Sequence, residues 1–270
     1  MFKEISDADV INFSNDGAIL IKNLLSNFEV MVLKKGIDAN ISNPSSSSII
    51  ASGENDPGWF FEDFCNWQKN LAYKHIIFNS AISEVAAKLM RSKQVRLYHD
   101  HLLVKKPGTK QRTPWHQDQP YYNIEGRQNV SFWIPVDHVP LESSIELVAG
   151  SHKGSWYLPR TFLKKEANWF PEGTLKESPD ISNNPEKFKI LSWELRPGDA
   201  VAFHMLSLHS GAGSKSLRRV FSVRFIGDDI RHAPRSWKTS PEFPGLTKRL
   251  SAGAVMEHEY FPITWPKNLS

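Results

Sequence analysis
From Gln94 onward the chain is a succession of short β-prone segments with no helix-length spacer between them, and this feature restricts the fold more than any other. Residues 96–104, 130–136, 145–148, 199–204 and 218–226 are rich in aromatic and β-branched side chains. Turns such as Pro107-Gly108 and Pro197-Gly198-Asp199 separate them. A doubly wound parallel sheet needs a helix of roughly 10 to 15 residues between successive strands, so the pattern predicts an antiparallel sandwich or barrel, a mainly β fold. At 270 residues the chain is long enough to bury a sizeable core as one domain over 1–270. Its single cysteine, Cys65, excludes a disulfide scaffold, a CxxC redox pair and any Cys-rich zinc site, and its place on an apolar stripe reads as an inert buried thiol.

Residues 1–93 carry helical patterning and are expected to support the β core over 94–230. Between Trp59 and Phe78, apolar residues recur at three and four spacings (Phe60, Phe61, Phe64, Trp67, Leu71), predicting a helix that starts at Pro57 with Asp56 as its N-cap. A second helix is expected over 80–90. Residues 152–192 are polar and irregular but include Trp156, Tyr157, Trp169 and Phe170, which reads as a lid-like insert, with Arg160 and Lys164 facing substrate or solvent; 231–270 form a C-terminal extension. The N-terminus has acids where a secretory signal would be basic and then apolar, and no apolar run approaches the ~18 residues of a membrane helix, so a cytoplasmic protein is expected. The net charge of +4 comes from lysines and arginines interleaved with acids, so no nucleic-acid partner is expected.

No Walker loop, GxSxG elbow or HExxH pair is present. The positive signal is Trp115-His116-Gln117-Asp118. Residues two apart on an extended chain project to one side, so His116 and Asp118 can present an imidazole and a carboxylate to one point. A third ligand is offered by His209, at the end of a strand and before the turn Gly211-Ala212-Gly213. Two histidines and one carboxylate suit a non-haem Fe(II) oxygenase, and the same donors suit zinc. His204 is the rival third ligand, although its place within the strand favours a core or supporting role. His99 and His101, around Asp100, form a further HxD that reads as a packed or cavity-lining pair.

The segments TPWHQDQPYYNIEGRQNVSFWIPVD, ELVAGSH, WELRPGDAVAFHMLSLHSGAG and RRVFSVRFIGDD, in this order over residues 94–232, resemble the phytanoyl-CoA dioxygenase family of Fe(II)- and 2-oxoglutarate-dependent oxygenases. The resemblance implies a double-stranded β-helix (jelly-roll, cupin-like) core. It implies His116, Asp118 and His209 as metal and catalytic residues, Fe(II), 2-oxoglutarate and O2 as cofactor and co-substrates, and Trp133 against the 2-oxoglutarate. Arg218 would hold the distal carboxylate. A guanidinium fork suits bidentate capture of such a group, and strand alternation puts Arg218, Val220, Ser222 and Arg224 on one face and Arg219, Phe221, Val223 and Phe225 on the other. The gap from His209 to the arginine pair is shorter than in commoner members, which keeps Arg219 as the alternative. The implied reaction releases succinate and CO2 and hydroxylates a small or lipid-like molecule, since a carboxylate at 118 fills the position that related halogenases leave to chloride. Trp115, Gln119, Tyr121 and Tyr122 are substrate-contact candidates. A catalytically silent metal-binding jelly roll, or an oxygenase acting on nucleic acid or protein, are the other readings.

Overall fold
The computed structural model describes residues 4–158 and 175–267. Helix α1 (Asp7–Asp16), strand β1 (Ala18–Ile21) and helix α2 (Asn27–Ser42) open the chain, followed by β2 (Ile49–Ile50), β3 (Phe60–Phe64), α3 (Leu71–Asn79) and α4 (Ile82–Met90). The β region then contains β4 (Val95–Lys105), β5 (Thr113–His116), β6 (Ile124–Glu125), β7 (Asn129–Pro135), β8 (Ile145–Val148), β9 (Ile190–Leu191), β10 (Ala200–Phe203), β11 (His209–Gly211), β12 (Arg218–Ile226) and β13 (Arg231–His232). Helix α5 (Leu246–Arg249) and strand β14 (Ile263–Trp265) follow.

All the ladders between these strands are antiparallel. The larger sheet has the order β1-β10-β7-β12-β4-β3-β2, with β14 also on β4, and the smaller one has the order β5-β11-β8-β9. Trp133, Val201, Phe203 and Val220 of the larger sheet pack with Ile145 and Leu147 of the smaller one, which joins the two sheets as a jelly roll. The outer face of the larger sheet (Phe61, Leu102, Phe132, Phe221, Val223, Phe225) buries against Leu33, Ile37, Ile76, Val85 and Leu89 of the helices. Both faces of β12 are therefore covered, and all nine of its residues are buried.

The N-terminal third differs from the expected all-helical support, because it contributes β1, β2 and β3 to the larger sheet. The predicted helix from Pro57 is replaced by strand β3 and a later helix. Phe60, Glu62 and Phe64 alternate with Phe61 and Asp63, and a strand can send these two sets to different environments, whereas a helix would mix them. Asp56 accepts from the backbone N–H groups of Gly58, Lys110 and Gln111 and organises a loop, while Asn70 caps α3 through the N–H groups of Ala72 and Tyr73. Cys65 is a free, partly buried thiol pushed up to about 12 by burial, which leaves it protonated and unreactive.

Within the expected lid, Arg160, Lys164, Trp169 and Phe170 lie outside the described residues. Tyr157 bridges to Lys176, and its N–H donates to Gln117 Oε1 at 2.8 Å, while Trp156 lies over the Arg235 guanidinium at 5.3 Å. Among the described residues no helix is long and apolar enough to cross a membrane.

Phe221 is fully buried and its ring meets that of Tyr73 at 4.6 Å, which ties β12 to α3. Phe221→Ala is expected to cost about 3 to 5 kcal/mol, read as a fall in the urea midpoint at unchanged slope. Leu71→Ala, on the exposed side of the same helix, should move the midpoint by less than about 0.5 kcal/mol; equal shifts would contradict this packing.

Candidate active site
The site lies where the smaller sheet and the loop after β5 face the inner side of the larger sheet. His209 on β11 pairs with His116 on β5, so two adjacent antiparallel strands deliver both imidazoles to one place. Gly213 lets the chain leaving β11 pass close to the turn at Thr109, since a Cβ there would lie 2.4 Å from that residue's carbonyl oxygen. Asp118 follows on the loop, its N–H donating to the Met205 carbonyl at 2.8 Å. Ligand atoms of His116, Asp118 and His209 all lie within 4.8 Å of one another.

The hydrogen bonds around the three residues fix the tautomers of the two imidazoles and the orientation of the carboxylate. His116 Nδ1 lies 2.8 Å from the Pro114 carbonyl and His209 Nδ1 2.9 Å from the Ser207 carbonyl. A carbonyl only accepts, so each Nδ1 carries the proton and each Nε2 presents a lone pair. Those Nε2 atoms lie 3.7 and 3.6 Å from Asp118 Oδ1. The other oxygen, Asp118 Oδ2, accepts from Ser131 Oγ at 3.1 Å and from Arg224 Nε and Nη2 at 3.3 and 3.2 Å. Burial pushes the Asp118 carboxyl up, but Arg224 and the two imidazoles outweigh it and hold the group well below the usual carboxylate range. Burial lowers His116 to about 3, helped by His209, and lowers His209 as well. At neutral pH the cluster is therefore one anion and two neutral imidazoles, a nitrogen and oxygen donor set that fits Fe(II).

His204 is not part of it. The Leu206 N–H donates to His204 Nδ1 at 3.0 Å, so His204 Nε2 carries the proton and donates to the Arg127 carbonyl at 2.9 Å, leaving no lone pair for a metal. Asp100 turns away from the cavity and accepts from the N–H groups of Asn66 and Trp67, while His99 and His101 face inward.

A cavity of about 480 Å3 opens in front of the three ligands. Arg218 lines it and is only 5% exposed; its guanidinium donates to the Ser143 carbonyl and stands 5.6 Å from the Trp133 ring centroid. Among the described residues no carboxylate pairs with it. Burial lowers Arg218 to about 10, so it remains cationic at neutral pH. Arg219, on the opposite face of β12, is bound to Asp137 at 2.7 Å and to Asp38 of α2. Ser222 lines the cavity with its hydroxyl donated to the Phe132 carbonyl at 2.9 Å.

Of the substrate-contact candidates, Tyr121 and Tyr122 are on the cavity wall. Trp115 packs against Val148, Ile181 and Leu208, and Gln119 is buried between Asn129 and the Gly126 carbonyl, both away from the cavity. Ile49 and Ile50 line it from β2, a two-residue strand with no pattern of its own, and Glu62 and Phe64 from β3, where the sequence suggests a helix over 59–78. The alternation of Phe60, Glu62 and Phe64 is the signal that could have revealed them.

No curated protein sequence is similar enough to match this chain. Solved structures share its fold. The 2-oxoglutarate-dependent carbocyclase SnoK from nogalamycin biosynthesis is 22% identical, with a TM-score of 0.75 and 96% of each chain covered. The epimerase SnoN in complex with Fe3+, 2-oxoglutarate and nogalamycin RO is 18% identical (TM-score 0.73, 94% of this chain and 96% of that one). EctD from S. alaskensis with 2-oxoglutarate and 5-hydroxyectoine is 16% identical (TM-score 0.68, 93% and 85%). The family model for phytanoyl-CoA dioxygenase matches residues 13–220. With that match over most of its length and a ligand set that fits iron, the chain belongs to the phytanoyl-CoA dioxygenase family of Fe(II)- and 2-oxoglutarate-dependent oxygenases.

Proposed function
We propose that this protein hydroxylates a small or lipid-like organic molecule, with release of succinate and CO2 from 2-oxoglutarate. One observation carries the reading: three ligand atoms and a buried guanidinium with no acid partner among the described residues border the same cavity. Iron bound by His116, Asp118 and His209 would supply the activation of O2 coupled to oxidative decarboxylation of 2-oxoglutarate. The remaining work belongs to the chain. Arg218 takes the distal carboxylate of 2-oxoglutarate through its fork, and Trp133 flanks the guanidinium and limits where that end can lie. Arg224 and Ser131 hold one Asp118 oxygen so that the other stays aimed at the imidazole side.

The cavity supports a small-molecule substrate over a macromolecule. Its volume is within the usual range of ligand pockets, and its wall is mostly Phe60, Phe64, Leu103, Tyr121, Phe203 and similar side chains. Ile49 and Ile50, at 48% and 49% exposure, mark its outer rim. Apolar closure of this kind keeps water from the reacting centre. The carbocyclase and epimerase named among the fold neighbours have other outcomes, so the position of a substrate C–H bond in this cavity would decide the product.

The direct test is O2-dependent conversion of 2-oxoglutarate to succinate, screened across metabolites for stimulation. Succinate release that requires His116 supports the reading; metal binding with no succinate under any condition would mean a silent module. Arg218→Met should raise the KM for 2-oxoglutarate about 30-fold or more, while Arg219→Met should leave it within about threefold and lower the urea midpoint instead. Ser131→Ala should weaken Fe(II) binding about tenfold, measured by anaerobic dialysis, with the fold intact.

A further inference from the structure
Five carboxylates are buried among the described residues, and four have hydrogen-bond donors. Asp63 accepts from Asn40 and Ser45, Asp100 from the backbone of Asn66 and Trp67, Asp118 from Ser131 and Arg224, and Asp199 from the backbone of Asn23 and Arg196. Glu62 is the exception. It is 0% exposed, and neither of its side-chain oxygens has a hydrogen-bond partner among the described residues. The pleat of β3 sends it into the cavity between Phe60 and Phe64, opposite Leu103 on β4. Of the basic groups that act on Glu62, Lys105 is already committed to the carbonyls of Gln111 and Ala212 at 2.6 and 2.9 Å and is lowered by burial to about 6, and Arg224 is engaged with Asp118. His101 Nε2 stands 3.3 Å from Glu62 Oε1 but out of alignment, with its ring stacked on Phe64 at 4.0 Å.

A buried carboxylate with no hydrogen-bond donor among the described residues costs stability even with Lys105, His116 and Arg224 acting on it electrostatically, and a Glu at an interior strand position contributes nothing to packing that Leu or Met would not. Burial pushes Glu62 up to about 7, which expresses the same cost. The group has acceptor capacity and belongs to a residue that lines the cavity between Phe60 and Phe64, whose rings would accept a hydrocarbon skeleton.

Resting on the proposed oxygenase function, we propose that Glu62 is a substrate-binding residue that accepts hydrogen bonds from a donor head group, a protonated amine or a hydroxyl, on an otherwise apolar molecule lying against Phe60, Phe64 and Leu103. Substrates whose polar end cannot donate are discriminated against, because they would leave the carboxylate buried and unpaired.

The test uses octylamine, octanol and octyl methyl ether as probes that share a chain and differ in donor capacity, titrated by calorimetry into the full-length protein without metal and again with Fe(II) and 2-oxoglutarate under argon. Octylamine or octanol should bind about tenfold or more tightly than the ether. In Glu62→Met that preference should fall below about twofold, while the melting temperature stays equal or rises because a buried carboxylate has been removed. Wild-type protein that does not prefer either donor over the ether overturns the inference, as does a Glu62→Met protein that keeps the preference. Should Glu62→Met fail to fold, Glu62→Gln serves: it should weaken octylamine about tenfold and octanol less, since an amide oxygen still accepts, and unchanged octylamine affinity overturns the proposal. Succinate release is scored separately, so its absence counts against the oxygenase function and leaves the metal-free titrations to decide Glu62.

Discussion
The contact between Arg224 and Asp118 is the one on which the site's geometry depends. Arg224 comes from the central strand of the larger sheet and Asp118 from the loop after a strand of the smaller one, so the pair joins the two layers at the point where the ligands converge. It is also selective between the two carboxylate oxygens. Oδ2 is taken by Arg224 and Ser131, and Oδ1 is left facing the two imidazoles at 3.6 and 3.7 Å. Burying a carboxylate and a guanidinium costs several kcal/mol each by desolvation, and only their mutual pairing with added hydrogen bonds offsets it. The arrangement therefore holds the anionic ligand ionised and aimed before any metal arrives, which is the preorganisation a three-ligand site requires.

Strand β12 separates structure from chemistry by alternation. Phe221, Val223 and Phe225 pack on the helices, with Arg219 held beside them by Asp137 and Asp38. Arg218, Ser222 and Arg224 line the cavity. Two adjacent arginines thus have opposite environments: Arg219 meets two carboxylates of its own chain, and Arg218 meets none among the described residues. That contrast, which follows from the two-residue period of the pleat, is the reason we propose Arg218 as the anion-binding group.

The same period explains what could be read from sequence and what could not. The five β segments expected after Gln94 appear as β4, β7, β8, β10 and β12 with ends shifted by no more than a residue or so, because each is a dense β-branched or aromatic run. The convergence of His116, Asp118 and His209 was legible from the HxD spacing and the glycine turn. The short strands β5 and β11, which deliver the imidazoles, carry little hydrophobic pattern and become visible only through their pairing. At Trp59 to Phe78 five apolar residues matched a helical period by coincidence, since β3 ends before Trp67 and α3 begins at Leu71. That misassignment hid Glu62, whose environment is set by tertiary pairing with β4. His204 was the rival third ligand by proximity in sequence, its place within the strand already favoured a supporting role, and the two hydrogen bonds that occupy both ring nitrogens exclude it.

One cavity presents a three-donor metal face and, as we propose, a guanidinium positioned for the far end of 2-oxoglutarate. Anaerobic titration of the protein with Fe(II) and 2-oxoglutarate tests it most directly, through the weak visible absorption that arises when the keto acid chelates the bound metal. A saturable band at one equivalent of each component is expected. A protein that binds Fe(II) but develops no band with 2-oxoglutarate would contradict it.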